Sequence, residues 1–238
     1  MARPRVATNG LIEMLPRRER DQFVAACDSV ELIRGDVLYQ PMQRLDRVYF
    51  PTAGFVSLIV TVDDSAHLEV GLIGDEGAFG IPLALGVAVS RVQAVVQGAG
   101  SALCMNATSF TRQLARSKPL ARVMDRYVFV QLRQLAQLAA CTHFHVVESR
   151  LARWLLMTQD RAHADVFYLT HELLGSMLGV RRVGITKAAS ALQKRGLIQY
   201  SRGNITVLNR RGLTAVSCGC YKADKESYAS ALGRAPLV

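Results

Sequence analysis

Leu169-Thr170-His171-Glu172-Leu173-Leu174-Gly175-Ser176-Met177-Leu178-Gly179-Val180-Arg181-Arg182-Val183-Gly184-Ile185-Thr186-Lys187 is the stretch on which the reading of this chain turns. Thr170 is a helix-capping residue type, and Glu172 falls in the first turn, where the helix dipole favours an anion. Leu173, Leu174, Met177 and Leu178 recur at helical spacing and supply a buried face. Gly179 then stops the helix, because only glycine enters the left-handed conformation of a sharp turn without steric cost. A second helix starts near Arg181, held by Val183, Ile185, Ala188, Ala189 and Leu192, and ends at Gly196. Helix, glycine-centred turn, helix is the helix-turn-helix arrangement, whose second helix reads the major groove with its N-terminal residues. Those residues are Arg181, Arg182, Gly184, Thr186 and Lys187. Arginine can grip a guanine edge through two hydrogen bonds, and Lys or Thr can reach bases or phosphates.

Outward from this core, residues 197–200 and 205–208 read as two strands joined by Arg202-Gly203-Asn204. Together they form a β-wing, with Arg202 at the tip to meet a phosphate or a minor groove. Residues 163–213 carry eight Lys or Arg against two acids, so more than half of the formal +10 net charge lies in this one segment. That concentration is the electrostatic footprint of a nucleic-acid partner. A winged helix used only for protein contacts, with a solvated basic face, is the competing reading.

Upstream, residues 30–33, 37–39, 48–50, 55–62, 68–73, 92–96 and 102–105 are short and rich in β-branched or aromatic side chains. Turn residues at 34–36, 51–54, 63–65, 74–77 and 98–100 separate them. This spacing predicts an antiparallel sandwich, roll or barrel, preceded by a short helical lead-in over 9–27. Between Pro119 and Ala140 there is neither Gly nor a further Pro. Leu120, Val123, Tyr127, Val130, Gln134, Leu138 and Cys141 recur at steps of three and four, one face of a long helix. Packing on the roll or on a second copy of the helix would bury that stripe. A further helix over 146–159 turns Val147, Leu151, Trp154 and Leu155 inward. Residues after Leu213 are weakly patterned and read as a partly mobile tail.

The organisation expected is therefore α+β: a jelly-roll-like antiparallel β-roll over 1–118, a long dimerisation helix over 119–145, a winged helix-turn-helix over 146–213 and a tail over 214–238. In this order of elements the chain resembles the Crp/Fnr family of regulators. Leu169 to Leu174, Met177 to Val180 and Gly196-Leu197-Ile198 carry the resemblance. It implies a homodimer through the central helix, with Val123, Tyr127, Val130, Gln134 and Leu138 at the interface. It also implies a palindromic double-stranded DNA site, an effector in or near the roll, and RNA polymerase as a further partner to consider. Where family members often place Arg, Glu and Arg, this chain has Arg182, Val183 and Lys187. Val183 cannot accept a hydrogen bond from cytosine, so the family's usual half-site does not carry over.

Cyclic-nucleotide members of the family use a Gly-Glu pair on the ribose and an Arg-Ser or Arg-Thr pair on the cyclic phosphate. The corresponding positions here are Gly74, Glu76, Gly77, Gly80, Ser90 and Arg91. If Gly80-Ile81 takes the Gly-Glu place the ribose acid is missing; if Glu76 serves, the loop to Arg91 is too long. Arg91 is followed by Val92 rather than a hydroxyl residue. The cassette is degenerate, a cyclic nucleotide is disfavoured, and plain turn chemistry explains the glycines.

No cofactor and no metal are expected. Cys27 is the one cysteine in the first hundred residues, against an N-terminal iron–sulfur cluster. Cys218 and Cys220 form a C-x-C pair without other ligands nearby in sequence, and His143 and His145, two apart on a helix, point to different sides. A haem ligand at His67 or His143 stays an open alternative, although a lone histidine is usually structural or exposed. Ser–His–Asp order, a P-loop, HExxH and paired CxxC motifs are absent, so the chain does not read as an enzyme. Five cysteines at irregular spacing, 2–14 with no continuous apolar run, and no stretch long enough to span a bilayer predict a cytoplasmic protein with no membrane partner.

Overall fold

A computed structural model describes residues 8–63, 66–201 and 203–233. It divides into two compact units: the described residues up to Leu58 with Ile73–Gln131, and Ile59–Leu72 with the described residues from Leu132 on. The mixed helix and antiparallel-strand class is the one expected.

In the first unit, Asn9 caps α1 (Gly10–Glu13), and its side-chain amide donates to the carbonyls of Pro51 and Gly77 at 2.9 and 2.7 Å. A buried asparagine that satisfies this many partners pins the lead-in to the roll. Pro16 separates α1 from α2 (Arg17–Ala25), so the helical lead-in is two pieces. The sheet has strand order β1-β5-β3-β4, with β2 also on β5. The strands are β1 (Asp28–Leu32), β2 (Val37–Tyr39), β3 (Arg47–Val62), β4 (Ala66–Ile73) and β5 (Gln93–Asn106). In the β1–β5 ladder Asp28 faces Cys104 and Leu32 faces Gly100.

Two expected turns, at 51–54 and 98–100, lie instead inside the long strands β3 and β5. Their glycines serve close backbone approach. A Cβ on Gly100 would stand 2.2 Å from the Ala53 carbonyl oxygen, and one on Gly54 (φ +75) 2.3 Å from that of Gly98. Glycine in a strand marks such an approach as often as a reversal. A 3₁₀ turn (Ile81–Leu85) and α3 (Ala107–Arg116) complete the roll. Phe23 packs edge-on to Phe50 with ring centroids 5.2 Å apart, and Phe79 stacks on Tyr49 at 4.7 Å. Each fully buried aromatic contributes about 2–3 kcal/mol through area removed from water.

The long helix α4 runs Lys118–Phe144. Its first half seals the roll. Leu120, Val123, Met124, Tyr127 and Val130 are buried, and the Tyr127 hydroxyl donates to the Ala78 carbonyl at 3.1 Å. In the second unit, α5 (Val147–Ala162) is the central element, and Trp154 on it donates to the Glu69 carboxylate of β4 at 2.7 Å. Around it lie β6 (Val166–Tyr168), α6 (His171–Leu178), α7 (Arg182–Lys194), β7 (Ile198–Ser201), β8 (Asn204–Val207), α8 (Arg210–Val216) and α9 (Cys220–Leu232).

The residues after Leu213 are not a mobile tail as far as Gly233. α9 buries Tyr221, Tyr228 and Leu232, and its Asp224 forms a buried ion pair with Arg153 at 2.6 Å. Asp160 receives Arg210 at 2.6 Å and the Tyr221 hydroxyl at 2.8 Å. A few large side chains and one buried charge fix this helix without an apolar stripe, which is why its sequence looked unpatterned.

Candidate nucleic-acid interface

The Thr170 side chain caps α6 by accepting from the Leu173 amide at 3.1 Å, and Gly179 ends it at φ +64. Arg181 is the residue before α7. Ile185, Ala188, Ala189 and Leu192 anchor α7 inward. Gly175 lies under the turn: a Cβ there would stand 2.9 Å from the Val180 carbonyl oxygen, so the two helices can close only around a residue without a side chain.

The outward face of α7 carries Arg181, Arg182, Thr186 and Lys187, all exposed. No ion pair holds Arg181, Arg182 or Lys187 among the described residues. Gly184 stands at the same helix start, and a Cβ there would meet nothing within 4 Å, so the chain's own packing does not require the glycine. Val183 corrects the sequence reading. It was expected to help hold the helix from within, but it is 59% exposed on the same face as the arginines. Ile185, two residues on and also expected inside, is the inward position of that turn.

His171 was missed by motif reasoning. Its ring stacks on Tyr200 of the wing with centroids 4.1 Å apart, and its Nδ1 lies 3.0 Å from the Thr186 hydroxyl. That hydroxyl donates in turn to the Arg182 carbonyl at 3.1 Å. The contact ties wing, first helix and recognition helix at one point. Burial, and then the charge of Arg182, hold the His171 pKa below its ordinary value of 6.5.

The wing is three-stranded, in the order β6-β8-β7, where two strands were expected. Gly203 turns it at φ +84. Arg202, expected at the tip, lies outside the described residues. Two basic residues of the segment are engaged elsewhere: Arg195 pairs with Glu148 at 3.2 Å, and Arg210 with Asp160.

The residues of the second expected site make local contacts. Glu76 accepts from the Gly74 amide at 3.0 Å, closing its own turn. Gly77 packs under α4, where a Cβ would stand 2.3 Å from the Tyr127 hydroxyl. Gly80 is left-handed at φ +88 and donates to the Tyr39 hydroxyl at 3.1 Å. Ser90 is 2% exposed, its hydroxyl bonded to the Val92 carbonyl at 2.6 Å, while Arg91 is exposed with its guanidinium 3.1 Å from the Met42 sulfur. None of the six lines the open groove on this unit. That groove, of about 800 Å3, is lined instead by Arg44, Asp46, Leu83, Asn106 and Arg112.

Part of the expected dimer seam is covered within the chain itself. Val123, Tyr127 and Val130 are buried by the chain's own roll, and Gln134 and Leu138 line a small cavity with Glu69 and Trp154. The apolar side chains that α4 leaves exposed are Phe129, Leu132 and Leu135, at 52%, 61% and 43%. They lie on another face of the same helix.

Residues 149–216 match the family model of the Crp-like helix-turn-helix domain. No curated protein matches the chain in sequence. Among solved structures, FixK2 from Bradyrhizobium japonicum superposes with a TM-score of 0.69 at 18% identity, over 81% of this chain and 98% of that one. The c-di-GMP-responsive global regulator CLP of Xanthomonas campestris gives 0.67 at 16% identity, over 81% and 99%. A Crp-family transcriptional regulator of Thermus thermophilus gives 0.67 at 18%, over 79% and 96%. Residues 149–216 thus carry a Crp-like helix-turn-helix domain, and the chain shares its fold with solved Crp/Fnr-family regulators. No described helix is long and apolar enough to cross a membrane.

Proposed function

We propose that this chain is a homodimeric, sequence-specific DNA-binding transcription regulator working in the cytoplasm, with α7 as its recognition helix. One observation carries the reading: Arg181, Arg182, Thr186 and Lys187 stand exposed at the N-terminal end of α7, with both arginines and the lysine outside any ion pair among the described residues. Guanidinium and ammonium groups left in this state supply both the salt-dependent phosphate attraction and bidentate base contacts. Exposed Val183 adds an apolar surface suited to a thymine methyl group. The dimer forms through the Phe129, Leu132 and Leu135 face of α4, so the DNA site is two-fold symmetric. RNA polymerase becomes a partner if the regulator activates.

Selection of bound sites from a random DNA pool, followed by gel shifts at two salt concentrations, tests this. A palindromic sequence should keep its advantage as the electrostatic contribution falls. Affinity that drops equally for every sequence would leave only a basic protein-interaction module.

The effector is something other than a standard cyclic nucleotide. The turn residues that would cradle one are bonded to their own neighbours, and Gly77 is packed by Tyr127. Calorimetric titration with cyclic AMP and cyclic GMP should give no heat of binding; stoichiometric binding at micromolar strength would overturn this part.

A further inference from the structure

Cys141 and His145 lie one helical turn apart at the C-terminal end of α4. The turn is real, because the His145 amide still donates to the Cys141 carbonyl at 3.2 Å. Residues four apart share a helix face, so His145 pairs with Cys141 rather than with His143. Cys218 and Cys220 flank the short link from α8 to α9. That link packs where α4 gives way to α5, and the Cys218 amide donates to the Ser149 carbonyl of α5 at 3.4 Å. Three sulfurs and one imidazole nitrogen, drawn from two segments about 75 residues apart in the chain, then lie within 4.8 Å of one another. The three cysteines are buried and His145 is exposed.

The spacing has a chemical meaning. Zinc holds thiolates at about 2.3 Å and imidazole at about 2.0–2.1 Å in a tetrahedron, which puts neighbouring ligand atoms about 3.5–3.8 Å apart. The Cys141 and Cys218 sulfurs are 3.5 Å apart, and the Cys220 sulfur is 3.5 Å from His145 Nδ1. A disulfide would use two of the four groups and leave the others converging for no reason. An iron–sulfur cluster puts several metal and sulfide atoms between its thiolates and spreads them wider than this.

The surroundings suit an anionic centre. Gln137 donates from Nε2 to the Cys220 sulfur at 3.0 Å, the kind of outer hydrogen bond that orients a metal-bound thiolate. Arg150 and Arg153 on α5 are near enough to interact with the charge on Cys141 and Cys218. Three thiolates around a divalent ion leave one net negative charge, which these cations offset.

We propose that Cys141, His145, Cys218 and Cys220 form a Cys₃His site for a zinc ion that clips the α8–α9 link to the end of α4. On binding, the ion displaces the thiol protons to solvent. All four ligands sit in one unit, and the proposal does not depend on whether α7 binds DNA.

The full chain purified under reducing conditions should contain one zinc per chain by mass spectrometry. After chelation it should take up Co²⁺ with the sulfur-to-metal charge-transfer band and intense visible bands of a tetrahedral site. Cys218→Ser with Cys220→Ser should abolish both signals, and Cys27→Ser should leave them unchanged. His145→Ala, a change at an exposed residue, should retain the wild-type circular dichroism while weakening Co²⁺ binding at least tenfold. Four results overturn the proposal: a chain that neither holds zinc nor binds Co²⁺; an unchanged Co²⁺ spectrum in the double cysteine variant; unaltered Co²⁺ affinity in folded His145→Ala; or iron with acid-labile sulfide in place of zinc.

Discussion

In the proposed DNA complex, single side chains at the start of α7 divide the work of recognition. Arg182 is exposed without an ion-pair partner among the described residues, and Val183 beside it can offer only methyl groups. Arg182→Ala should cost about 1–3 kcal/mol on the preferred site and relax base preference at one position, as expected for a bidentate contact. Equal weakening on all sequences, in the same binding assay, would assign Arg182 to phosphate alone. Val183→Ala should leave total affinity on random DNA unchanged and reduce the preference at a neighbouring base pair; a selected-site profile identical to wild type refutes the contact. His171 supplies a pH dependence. Its folded pKa is depressed below 6.5, so the unfolded chain takes up a proton first as pH falls. The stabilisation is present above the ordinary imidazole pKa and is lost on acidification through the folded value. Urea denaturation at a series of pH values should show His171→Gln with a flatter acid limb than wild type. Arg182 and His171 were equally visible in the sequence, but only the first belongs to a motif. The stacking of His171 on Tyr200 depends on a wing about 30 residues further on.

At the scale of elements, α4 shows how one helix can carry two apolar faces. The stronger stripe in the sequence is buried against its own chain, through Val123, Tyr127 and Val130, while Phe129, Leu132 and Leu135 remain outside. Leu132→Asp with Leu135→Asp should therefore convert a dimer to a folded monomer, read as a halved mass in light scattering with unchanged secondary structure. Tyr127→Phe should not affect the mass but should cost about 1 kcal/mol of roll stability by removing the hydrogen bond to Ala78. If Tyr127→Phe dissociates the dimer and the leucine pair does not, the seam assignment is wrong. Periodicity says that a helix has an apolar stripe. It does not say whether the chain itself or a second copy covers it, because both burials are driven by the same area removed from water.

Across the whole molecule, the C-terminal segment is held by charge as much as by apolar contact. The Arg153–Asp224 pair is nearly excluded from water, with side chains 9% and 7% exposed. Breaking such a pair leaves a buried charge, at a cost of about 3–5 kcal/mol. Asp224→Ala should lower the denaturation midpoint by that measure. Arg153→Met with Asp224→Leu should recover much of the loss, since no lone charge is then buried. A double variant no better than the single one would show that the pair acts through its surroundings and not as a pair.

By itself the sequence determined the fold class, the long central helix, the helix-turn-helix with its Thr170 cap and Gly179 turn, and the basic face of α7. These are set by local rules: helical periodicity, capping chemistry and the conformational freedom of glycine act within a few residues. Only the tertiary structure decided that Gly54 and Gly100 serve strand contact rather than turns, and that Val183 faces outward. It also decided that α9 packs on α5 through Asp224, and that Cys141 and His145 meet Cys218 and Cys220. Each of these rests on groups far apart in the chain, whose meeting is set by how the elements close around shared cores and not by any short-range pattern along the sequence.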